Sequence, residues 1–452
     1  MKIVVVGNGK VGNNLAGQLS VEGHDVVVID KNINALKKSE SDLDVIFIEG
    51  NGVDYKVQKD AGVDVADLLI AATSADEVNI LCCLVAKKLG AKNTIARIRN
   101  PEYSDQLYYL EKDLGLSMSI NPELAAAMEI SRILQFPSVS KIDSFAGGKV
   151  ELIEVKIGEK NPLKDVKIKD IKVRSLPRFL ICAVDREGEV YIPTGDFEIR
   201  FGDKIFVAVE SYQINNFFRG MGMMHNKVKT VLIVGGGRLT YYLAKQLISN
   251  NMKVSVIEKK EERCRFLCEE IPQARIIFGD GTDEAVLEAN GIQEVDAFVA
   301  LTDIDEENLV ISMYATFKGK PKVITKINRI SYLEVFSQTS IDTVISPKAI
   351  TSEQIIQYVR AMDNTLGSKV KALYKIAGNK AEALEFTADE TTRYLDRPIS
   401  ELPIKKNVLM VCIGRKNKIL IPRGDTSIKK RDSVVLITKG EIITDINDIF
   451  SY

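Results

Sequence analysis

Apolar residues in the first part of the chain form short continuous runs that alternate with more widely spaced apolar positions. The run Ile3 to Val6 is continuous and β-branched, which is typical of a strand buried on both faces of a parallel sheet. After a glycine-rich turn, Val11, Leu15 and Leu19 recur every four residues and predict a helix. The segment HDVVVID then predicts a second strand that ends on Asp30.

The same alternation continues through the next hundred residues. The segments VIFIEGNG, LLIAATS, NTIARIRN and SMSINP predict four more strands, separated by stretches suited to helices. Strands alternating with helices favour an α/β domain with a doubly wound parallel sheet, a Rossmann-like fold. Ligands of such sheets bind beyond the carboxyl ends of the strands.

The turn after the first strand has the chemistry of a nucleotide site. Gly7 allows a tight turn, Gly9 allows the backbone to approach a pyrophosphate, and Gly12 allows close packing of helix and strand. The helix that follows offers free N–H groups and a partial positive charge to phosphate. Asp30 can accept hydrogen bonds from a ribose diol and would repel a 2′-phosphate, so we expect NAD or ATP in preference to NADP.

Polar residues also follow the other predicted strands, where a ligand would lie. Arg97 is the strongest candidate, because a guanidinium at a strand end can contact phosphate oxygens through two N–H groups. An ion pair with a loop carboxylate is the alternative for this arginine. The further strand-end candidates are Asn51, Thr73 and Ser74.

The whole pattern occurs twice in the chain. At one constant spacing Gly7 corresponds to Gly235, Gly9 to Gly237 and Asp30 to Glu258, and the spaced leucines of the first helix also recur. One inserted residue before the third strand shifts the later matches, which pair Thr73 with Thr302, Asn79 with Asn308 and Arg97 with Lys326. The chain is therefore expected to be a tandem duplication.

A smaller repeated segment follows each Rossmann-like pattern. IPTGDFEIRFGDKIFV in the first half matches IPRGDTSIKKRDSVVL in the second, within alternating runs that predict short strands. We therefore predict two Rossmann-like domains, each followed by a small α+β domain. The predicted domain ranges are 1–136 and 228–362 for the Rossmann-like domains, and 140–224 and 367–452 for the small domains.

The two copies differ at positions that would meet a ligand. Thr240 replaces the third glycine, which is expected to loosen helix–strand packing or to alter the pocket. Glu258 replaces Asp30 and reaches one methylene further, and Lys326 replaces Arg97 without its planar fork. The two sites are expected to take different ligands, or one ligand with different affinities.

Composition narrows the functional classes. The chain has 452 residues and a formal net charge of -1, which gives no general attraction to nucleic acid or anionic lipid. No apolar stretch approaches the roughly 18 residues of a membrane span. Six scattered cysteines and the absence of a leader-like start favour the cytoplasm.

The sequence supplies no candidate catalytic or metal-binding set. There are two histidines in the chain, although histidine is the commonest general acid or base. The cysteines do not have zinc-ligand spacing. Tyr241 with Lys245, and Tyr108 with Lys112, have the YxxxK spacing of short-chain dehydrogenases but not the rest of that pattern. We therefore expect a binding protein and not an enzyme.

The duplicated architecture resembles a known family. The motifs that carry the resemblance are MKIVVVGNGKVG, VVVID, EGNG, DLLIAATSADEVN, ARIRNPEY, INPE and IPTGDFEIRFGD. Together with the four-domain order, they resemble the regulatory subunits of bacterial Trk potassium uptake systems, which are built from two RCK (regulator of potassium conductance) modules. The resemblance covers essentially the whole chain.

The resemblance implies a gating subunit that binds NAD(H) and ATP or ADP. It implies a homotetrameric ring, peripheral on the inner face of the cell membrane without insertion into it, docked on a membrane-embedded Trk-type potassium transporter. It implies a first nucleotide site formed by Gly7, Asn8, Gly9, Lys10, Val11, Asp30, Asn51, Thr73, Ser74 and Arg97. It implies a second site formed by Gly235, Gly236, Gly237, Arg238, Leu239, Glu258, Asp280, Thr302 and Asp303.

Two other functions remain open at this point. One is an NAD-dependent oxidoreductase, which would need an acid that polarises a substrate beside the nicotinamide. The other is a free-standing nucleotide sensor with a different protein partner. Hydride transfer to a carbonyl compound would distinguish the first, and co-purification with a potassium transporter would distinguish the second.

Overall fold

The structure is a computed structural model of the chain. The predicted linkers around 136–140, 223–227 and 366–369, together with Tyr108 and Lys112, lie outside the residues it describes. The described residues are 1–34, 43–103, 114–135, 141–145, 149–159, 161–171, 176–222, 228–319, 322–329, 343–365, 370–376, 380–416, 418–441 and 443–451.

The first Rossmann domain contains a six-stranded parallel sheet. The strands are β1 (Lys2–Val6), β2 (Asp25–Asp30), β3 (Ile46–Glu49), β4 (Leu68–Ala71), β5 (Asn93–Arg97) and β6 (Met118–Ile120). Their order is β3-β2-β1-β4-β5-β6, and every neighbouring pair is parallel. This is the strand order of dinucleotide-binding folds.

Four helices accompany this sheet in the described residues. They are α1 (Lys10–Val21), α2 (Tyr55–Asp60), α3 (Asp76–Leu89) and α4 (Pro122–Gln135). The predicted apolar positions Val11, Leu15 and Leu19 of α1 are all buried. Strands β1 and β4 are almost entirely buried, as expected for strands covered on both faces.

A small domain follows the first Rossmann domain. Its strands and its helix are β7 (Lys141–Phe145), β8 (Val150–Lys156), β9 (Val166–Lys167), β10 (Phe179–Arg186), β11 (Glu189–Tyr191), β12 (Glu198–Ile199), β13 (Lys204–Glu210) and α5 (Ile214–Gly220). Five strands form an antiparallel sheet of order β11-β10-β13-β8-β7, and β9 pairs with β12.

The second Rossmann domain repeats the first. Its strands are β14 (Thr230–Val234), β15 (Lys253–Glu258), β16 (Arg275–Phe278), β17 (Ala297–Ala300), β18 (Lys322–Lys326) and β19 (Thr343–Ile345), in the parallel order β16-β15-β14-β17-β18-β19. Its helices are α6 (Arg238–Ser249), α7 (Glu261–Glu270), α8 (Glu284–Ala289), α9 (Asp305–Gly319) and α10 (Pro347–Thr365).

The second small domain repeats the antiparallel sheet. Its strands are β20 (Val370–Ile376), β21 (Ala381–Thr387), β22 (Val408–Arg415), β23 (Lys418–Leu420) and β24 (Ser433–Thr438). Their order is β20-β21-β24-β22-β23. The prediction of two doubly wound parallel-sheet domains with two smaller mixed domains is confirmed.

The two Rossmann domains form one compact unit, Met1–Gln135 with Val228–Ile356. Helix α4 of the first domain shares a hydrophobic core with α6 of the second, in which Ile130 and Leu134 join Leu243. A hydrogen bond also joins α1 of the first domain to α10 of the second: the Asn14 amide donates to the Ser352 hydroxyl at 3.0 Å. The two glycine turns therefore belong to one compact unit with a shared hydrophobic core.

The two small domains form a second compact unit, Phe136–Lys227 with Gln357–Tyr452. Their sheets share a core in which Leu152 and Phe206 of the first domain pack with Val411 and Val435 of the second. In the described part of the chain, no helix is long and apolar enough to cross a membrane.

Candidate functional site

The first glycine turn is fixed by the carboxylate at the end of β2. Gly7 has a φ of 103°, a conformation that favours glycine. The backbone N–H of Asn8 donates to Asp30 Oδ2 at 2.6 Å, and Asn32 N–H donates to Oδ1 at 2.8 Å. Asp30 therefore fixes the glycine turn against the end of β2.

A buried asparagine joins the ends of β4 and β5. Asn79 Oδ1 accepts a hydrogen bond from Thr73 N–H at 2.8 Å, and Asn79 Nδ2 donates to the carbonyl of Arg97, also at 2.8 Å. Asp76 fixes the next stretch by accepting from the backbone N–H groups of Arg99 and Asn100, both at 2.8 Å. These bonds set the position from which the Arg97 side chain extends.

The Arg97 guanidinium lies in a partly buried position that is rich in positive charge. Its Nη1 donates to the carbonyl of Thr73 at 3.4 Å, while its buried Nε finds no hydrogen-bond partner among the described residues. Burial lowers the pKa of Arg97, and the charges of Arg99 and Arg238 lower it further, against the carboxylates of Glu123 and Asp76. A buried donor without a partner is uncommon in native structures.

The second glycine turn has the same construction. Gly235 has a φ of 101°. Gly236 N–H donates to Glu258 Oε2 at 2.5 Å, and Lys260 N–H donates to Oε1 at 2.7 Å. Glu258 is 9% exposed. The extra methylene of Glu258 thus preserves the contact between carboxylate and turn that Asp30 makes in the first copy.

Thr240 occupies the place of the third glycine without breaking the turn. Its hydroxyl donates to the carbonyl of Gly235. In the first copy a Cβ atom at Gly12 would lie 1.8 Å from the oxygen of Gly7. Because Thr240 carries a Cβ atom, the second helix cannot approach its turn as closely as the first helix does.

Several of the predicted second-site residues line one cavity of about 330 Å³. Its walls are the ends of β14, β15, β16 and β17 with the first residues of α7 and α9. The predicted residues in this lining are Gly235, Gly236, Gly237, Glu258, Asp280, Thr302 and Asp303. Residues not predicted from the sequence also line it, namely Lys259, Lys260, Arg263, Thr282, Ile304 and Glu307, with neighbouring apolar and glycine positions.

Arg263 supports the second turn from α7. Its Nε and Nη2 donate to the carbonyl of Gly236 at 3.0 and 2.8 Å, and its guanidinium stacks 4.6 Å from the centre of the Phe266 ring. Burial lowers the pKa of Arg263, against the opposing charge of Glu258. The first copy has alanine at the equivalent position in the sequence, so this support is specific to the second site.

The strand-end asparagine also recurs in the second domain. Asn308 Oδ1 accepts from Thr302 N–H at 2.8 Å, and its Nδ2 donates to the carbonyl of Lys326 at 3.0 Å. The Lys326 ammonium lies 3.3 Å from Asp303. Lys326, the counterpart of Arg97, therefore pairs with a carboxylate, whereas Arg97 does not pair with one among the described residues.

Positive side chains from both Rossmann domains influence one another, and we call Lys10, Arg97, Arg238, Lys326 and Lys348 the cation cluster. Burial lowers the pKa of Lys348 to about 8, with further lowering from Lys10, Arg97 and Lys326 against the charge of Asp305. The Lys348 ammonium donates to the Asn328 carbonyl at 3.2 Å. The cluster concentrates positive charge between the two domains.

The other sequence candidates take different positions. Val11 and Leu239 are buried in helix packing, whereas Lys10 and Arg238 are exposed at the starts of their helices. Asn51 and Ser74 are also exposed, and the Asn51 side chain accepts from the N–H of Val53 at 3.2 Å.

Sequence reasoning did not assign site roles to Asn79, Asn308, Arg263 or Lys348. The recurrence of asparagine at the same place in both copies was a signal for the first two. The effect of Lys348 depends on packing between domains, for which the sequence has no pattern.

The dehydrogenase-like pair in the described residues, Tyr241 with Lys245, lies on α6. The Lys245 ammonium contacts the hydroxyl of Tyr241 on α6, and Tyr241 packs in the core shared by the Rossmann domains. Neither residue lines the cavity at the second glycine turn. Within the described ranges, no group of three or more His, Cys, Asp or Glu residues is arranged to hold a metal ion.

Domain families match both halves of the chain. The TrkA-N domain matches residues 3–122 and 231–347, which lie in the two Rossmann domains. The TrkA-C domain matches residues 152–222 and 383–451, which lie in the two small domains.

Similar proteins match over the full length. The chain is 35% identical over 452 residues to "Trk system potassium uptake protein TrkA homolog" of Archaeoglobus fulgidus, with 100% of each chain covered. It is 30% identical to "Trk system potassium uptake protein TrkA" of Vibrio alginolyticus, covering 100% of this chain and 98% of that one. A solved structure, "GsuK channel bound to NAD", has a TM-score of 0.65 at 17% identity, covering 97% of this chain and 77% of that one.

Proposed function

This chain belongs to the TrkA family of Trk system potassium uptake proteins, and we propose that it is a nucleotide-binding regulatory subunit of a Trk-type potassium transporter. In this function it controls potassium transport in response to NAD(H) and to ATP or ADP. It acts as a ligand sensor and not as an enzyme. The names of its full-length relatives support the transport role.

The Arg97 Nε atom, which has no hydrogen-bond partner in the part of the chain that the structure describes, carries the nucleotide part of the proposal. A guanidinium that is desolvated, repelled by neighbouring cations and short of one acceptor is costly unless an anion binds it. Arg97 lies at the carboxyl end of β5, the edge at which parallel sheets bind ligands. A phosphate group would supply both the missing acceptor and the missing charge.

Both turns have room for phosphate at their second glycine. A Cβ atom on Gly9 or on Gly237 would meet nothing within 4 Å, so this space is open to a ligand. Each glycine immediately precedes a helix whose first N–H groups face the same space. Asp30 and Glu258 stand beside the turns as ribose acceptors, since each carboxylate oxygen has a second lone pair. The sequence-predicted residues of each site thus suit an adenosine with phosphate.

NAD(H) and ATP or ADP are the ligands that fit this chemistry. A structural neighbour, described as the GsuK channel bound to NAD, supports the choice of a nicotinamide dinucleotide. The carboxylates of Asp30 and Glu258 disfavour a 2′-phosphate, which argues against NADP.

The cation cluster suggests how binding is converted into regulation. Arg97 and Lys10 come from the first domain, and Arg238 and Lys348 from the second, so phosphate bound at Arg97 changes repulsion across the domain contact. A ligand then favours the domain arrangement to which it binds more tightly. In a homotetrameric ring on the cytoplasmic side of the membrane, this shift is transmitted to the membrane-embedded transporter.

Calorimetric titration tests the proposal directly. The full chain is titrated with NADH, NAD, ATP and ADP, and so are the variants Asp30→Ala, Glu258→Ala and Arg97→Ala. We expect nucleotide binding by the wild-type chain, loss of different ligands in the two carboxylate variants, and weaker ATP binding in Arg97→Ala. Asp25→Ala, at the opposite end of β2, is the matched control and should bind as the wild type does.

Potassium flux through the reconstituted transporter tests the regulatory part. Flux should depend on nucleotide when the wild-type chain is present, and Arg97→Ala should shift that dependence to higher ATP concentration. If no adenine nucleotide binds to the wild-type chain, the proposal is wrong. If nucleotides bind but transporter flux never responds to them, a free-standing sensor becomes the correct description.

A further inference from the structure

We propose that the second Rossmann domain selects an adenosine nucleotide with a short phosphate chain, AMP or ADP in class, over ATP and NAD(H). The inference rests on the proposed function, which has adenine nucleotides binding to both domains. It assigns the longer and more highly charged ligands to the first domain. Three differences between the copies lead to this assignment.

The first difference is the distance between turn and helix. In the first copy Gly12 lies so close to Gly7 that a Cβ atom would be 1.8 Å from its oxygen. A carbon and an oxygen in non-bonded contact need about 3.3 Å, so the Cβ atom of Thr240 requires α6 to stand further from its turn than α1 does. The wider gap keeps the helix N-terminus for one phosphate group but weakens simultaneous contact of turn and helix with a pyrophosphate.

The second difference is the charge at the end of β17. The segment TSADEVN of the first copy becomes TDIDEEN in the second. Asp303 therefore stands where the first copy has Ser74, and Glu307 stands where it has Val78. Both carboxylates line the cavity, and the Glu307 carboxylate lies 4.0 Å from the Lys259 ammonium. These carboxylates place negative charge at positions where the first copy has the uncharged Ser74 and Val78, and this charge opposes the binding of each additional phosphate.

The third difference is the state of the strand-end cation. Lys326 is 7% exposed, and its ammonium lies 3.3 Å from Asp303. Arg97 in the first domain keeps a buried Nε without a partner among the described residues. The first site therefore offers a terminal phosphate an unused donor, whereas the strand-end cation of the second domain already has the exposed carboxylate of Asp303 beside it.

The cavity itself suits a small nucleotide. Its volume of about 330 Å³ is near the lower end of the roughly 300–1,000 Å³ range of ligand sites. Its positive residues, Lys259, Lys260 and Arg263, follow β15 at the ribose side.

The test measures the second site alone in the full chain. The background variant carries Asp30→Ala and Arg97→Ala, which removes the ribose acceptor and the phosphate cation of the first site. Calorimetric titration of this chain should give AMP and ADP affinities at least about tenfold higher than those for ATP and NADH. Adding Asp303→Ser and Glu307→Val, the first-copy residues, should raise the ATP affinity by about tenfold or more.

The reciprocal change provides the matched control. In a chain that carries Glu258→Ala to disable the second site, Ser74→Asp should lower ATP affinity at the first site by about tenfold while changing AMP affinity less. Thermal unfolding of every variant checks that it is folded. Thr240→Gly gives a second test, because it should raise NADH affinity in the background variant without altering charge.

The outcomes separate this inference from the proposed function. If the background variant binds NADH or ATP as tightly as AMP, and Asp303→Ser with Glu307→Val changes nothing, the inference is wrong while nucleotide sensing stands. If the wild-type chain binds none of the four nucleotides, the proposed function itself is wrong.

Discussion

The carbonyl oxygen of Gly7 lies so close to Gly12 that a Cβ atom on Gly12 would be 1.8 Å from it. The obstructing atom belongs to the backbone, which cannot rotate away as a flexible side chain could. We therefore expect Gly12→Ala to lower the free energy of unfolding by about 1–3 kcal/mol through overpacking. Urea unfolding monitored by circular dichroism measures this change, and an unchanged midpoint would contradict the close contact.

Gly9→Ala, in the same turn, should leave stability unchanged but weaken nucleotide binding. A Cβ atom on Gly9 meets nothing within 4 Å, and the backbone φ of -73° suits alanine. Stability should stay within about 0.5 kcal/mol of the wild type. Nucleotide affinity should fall, because the new methyl group occupies the space through which phosphate approaches the backbone. Gly237→Ala should act in the same way at the second turn, where a Cβ atom also meets nothing within 4 Å.

Replacing Asn79 should lower both the stability of the first domain and its affinity for ATP. Its side chain is fully buried, accepts from Thr73 N–H at 2.8 Å and donates to the carbonyl of Arg97 at 2.8 Å. Asn79→Ala leaves these backbone groups unpaired, at about 1–3 kcal/mol for each buried group. We expect a lower unfolding midpoint and weaker ATP binding, because Arg97 loses its anchor.

Asn308→Ala is the matched variant in the second domain. Its bonds to Thr302 and Lys326 repeat those of Asn79, so the loss of stability should be similar. Its effect on ligands should be confined to the second site. Equal loss of ATP binding at the first site in both variants would show that Asn79 does not act through Arg97.

The sequence was sufficient to predict each Rossmann domain. Strands such as β1 and β4 are buried on both faces, and this burial requires the continuous apolar runs by which they were recognised. The glycine turn and the acid at the end of β2 followed from their spacing, and the structure places the Asn8 N–H 2.6 Å from Asp30. Local geometry decides these features, so a local pattern reveals them.

The contacts between the domains could not be predicted in this way. Helix α4 has an ordinary apolar face, and nothing in its pattern indicates that Ile130 packs with Leu243 in the other Rossmann domain. The same is true of the Tyr242 hydroxyl, which donates to the carbonyl of Arg99 at 3.2 Å. The cation cluster depends on these contacts, and its members are far apart in the sequence.

The cation cluster should make stability depend on pH. Burial lowers the pKa of Lys348 to about 8, and repulsion from Lys10 contributes. The same lysine in the unfolded chain has a pKa of about 10.4. Between these two values the unfolded state binds more protons, so the free energy of unfolding should rise with pH from about 8 to about 10.4. Below about pH 8 both states are protonated, and the destabilisation is constant.

Lys348→Met isolates this contribution. The difference in unfolding midpoint between the variant and the wild type should be largest near pH 7, with the variant more stable, and should shrink as the pH approaches 10. Urea titrations at several pH values measure it. A difference that stays constant over this range would contradict the lowered pKa of Lys348.

In each small domain a partly exposed arginine pairs with a buried aspartate at the same place in the repeat. Arg186 Nε and Nη2 donate to the two oxygens of Asp203, both at 2.8 Å, and Asp203 is 1% exposed. Arg415 makes the equivalent contacts with Asp432, at 3.0 and 2.7 Å. Asp203 also accepts from the N–H of Arg200 at 2.8 Å, so its carboxylate fixes the turn before β13.

Removing the buried carboxylate of Asp203 should lower the free energy of unfolding far more than removing the exposed carboxylate of Asp196. Asp203→Ala leaves the Arg186 guanidinium and the N–H of Arg200 without their acceptor and should lower the free energy of unfolding by about 1–3 kcal/mol. Asp196→Ala, which breaks the solvent-exposed pair with Lys169, should leave the unfolding midpoint unchanged. The double variant Arg186→Met with Asp203→Leu should recover part of the loss, because no unpaired charge remains. Equal midpoints for Asp203→Ala and Asp196→Ala would mean that the turn before β13 is held by its backbone alone.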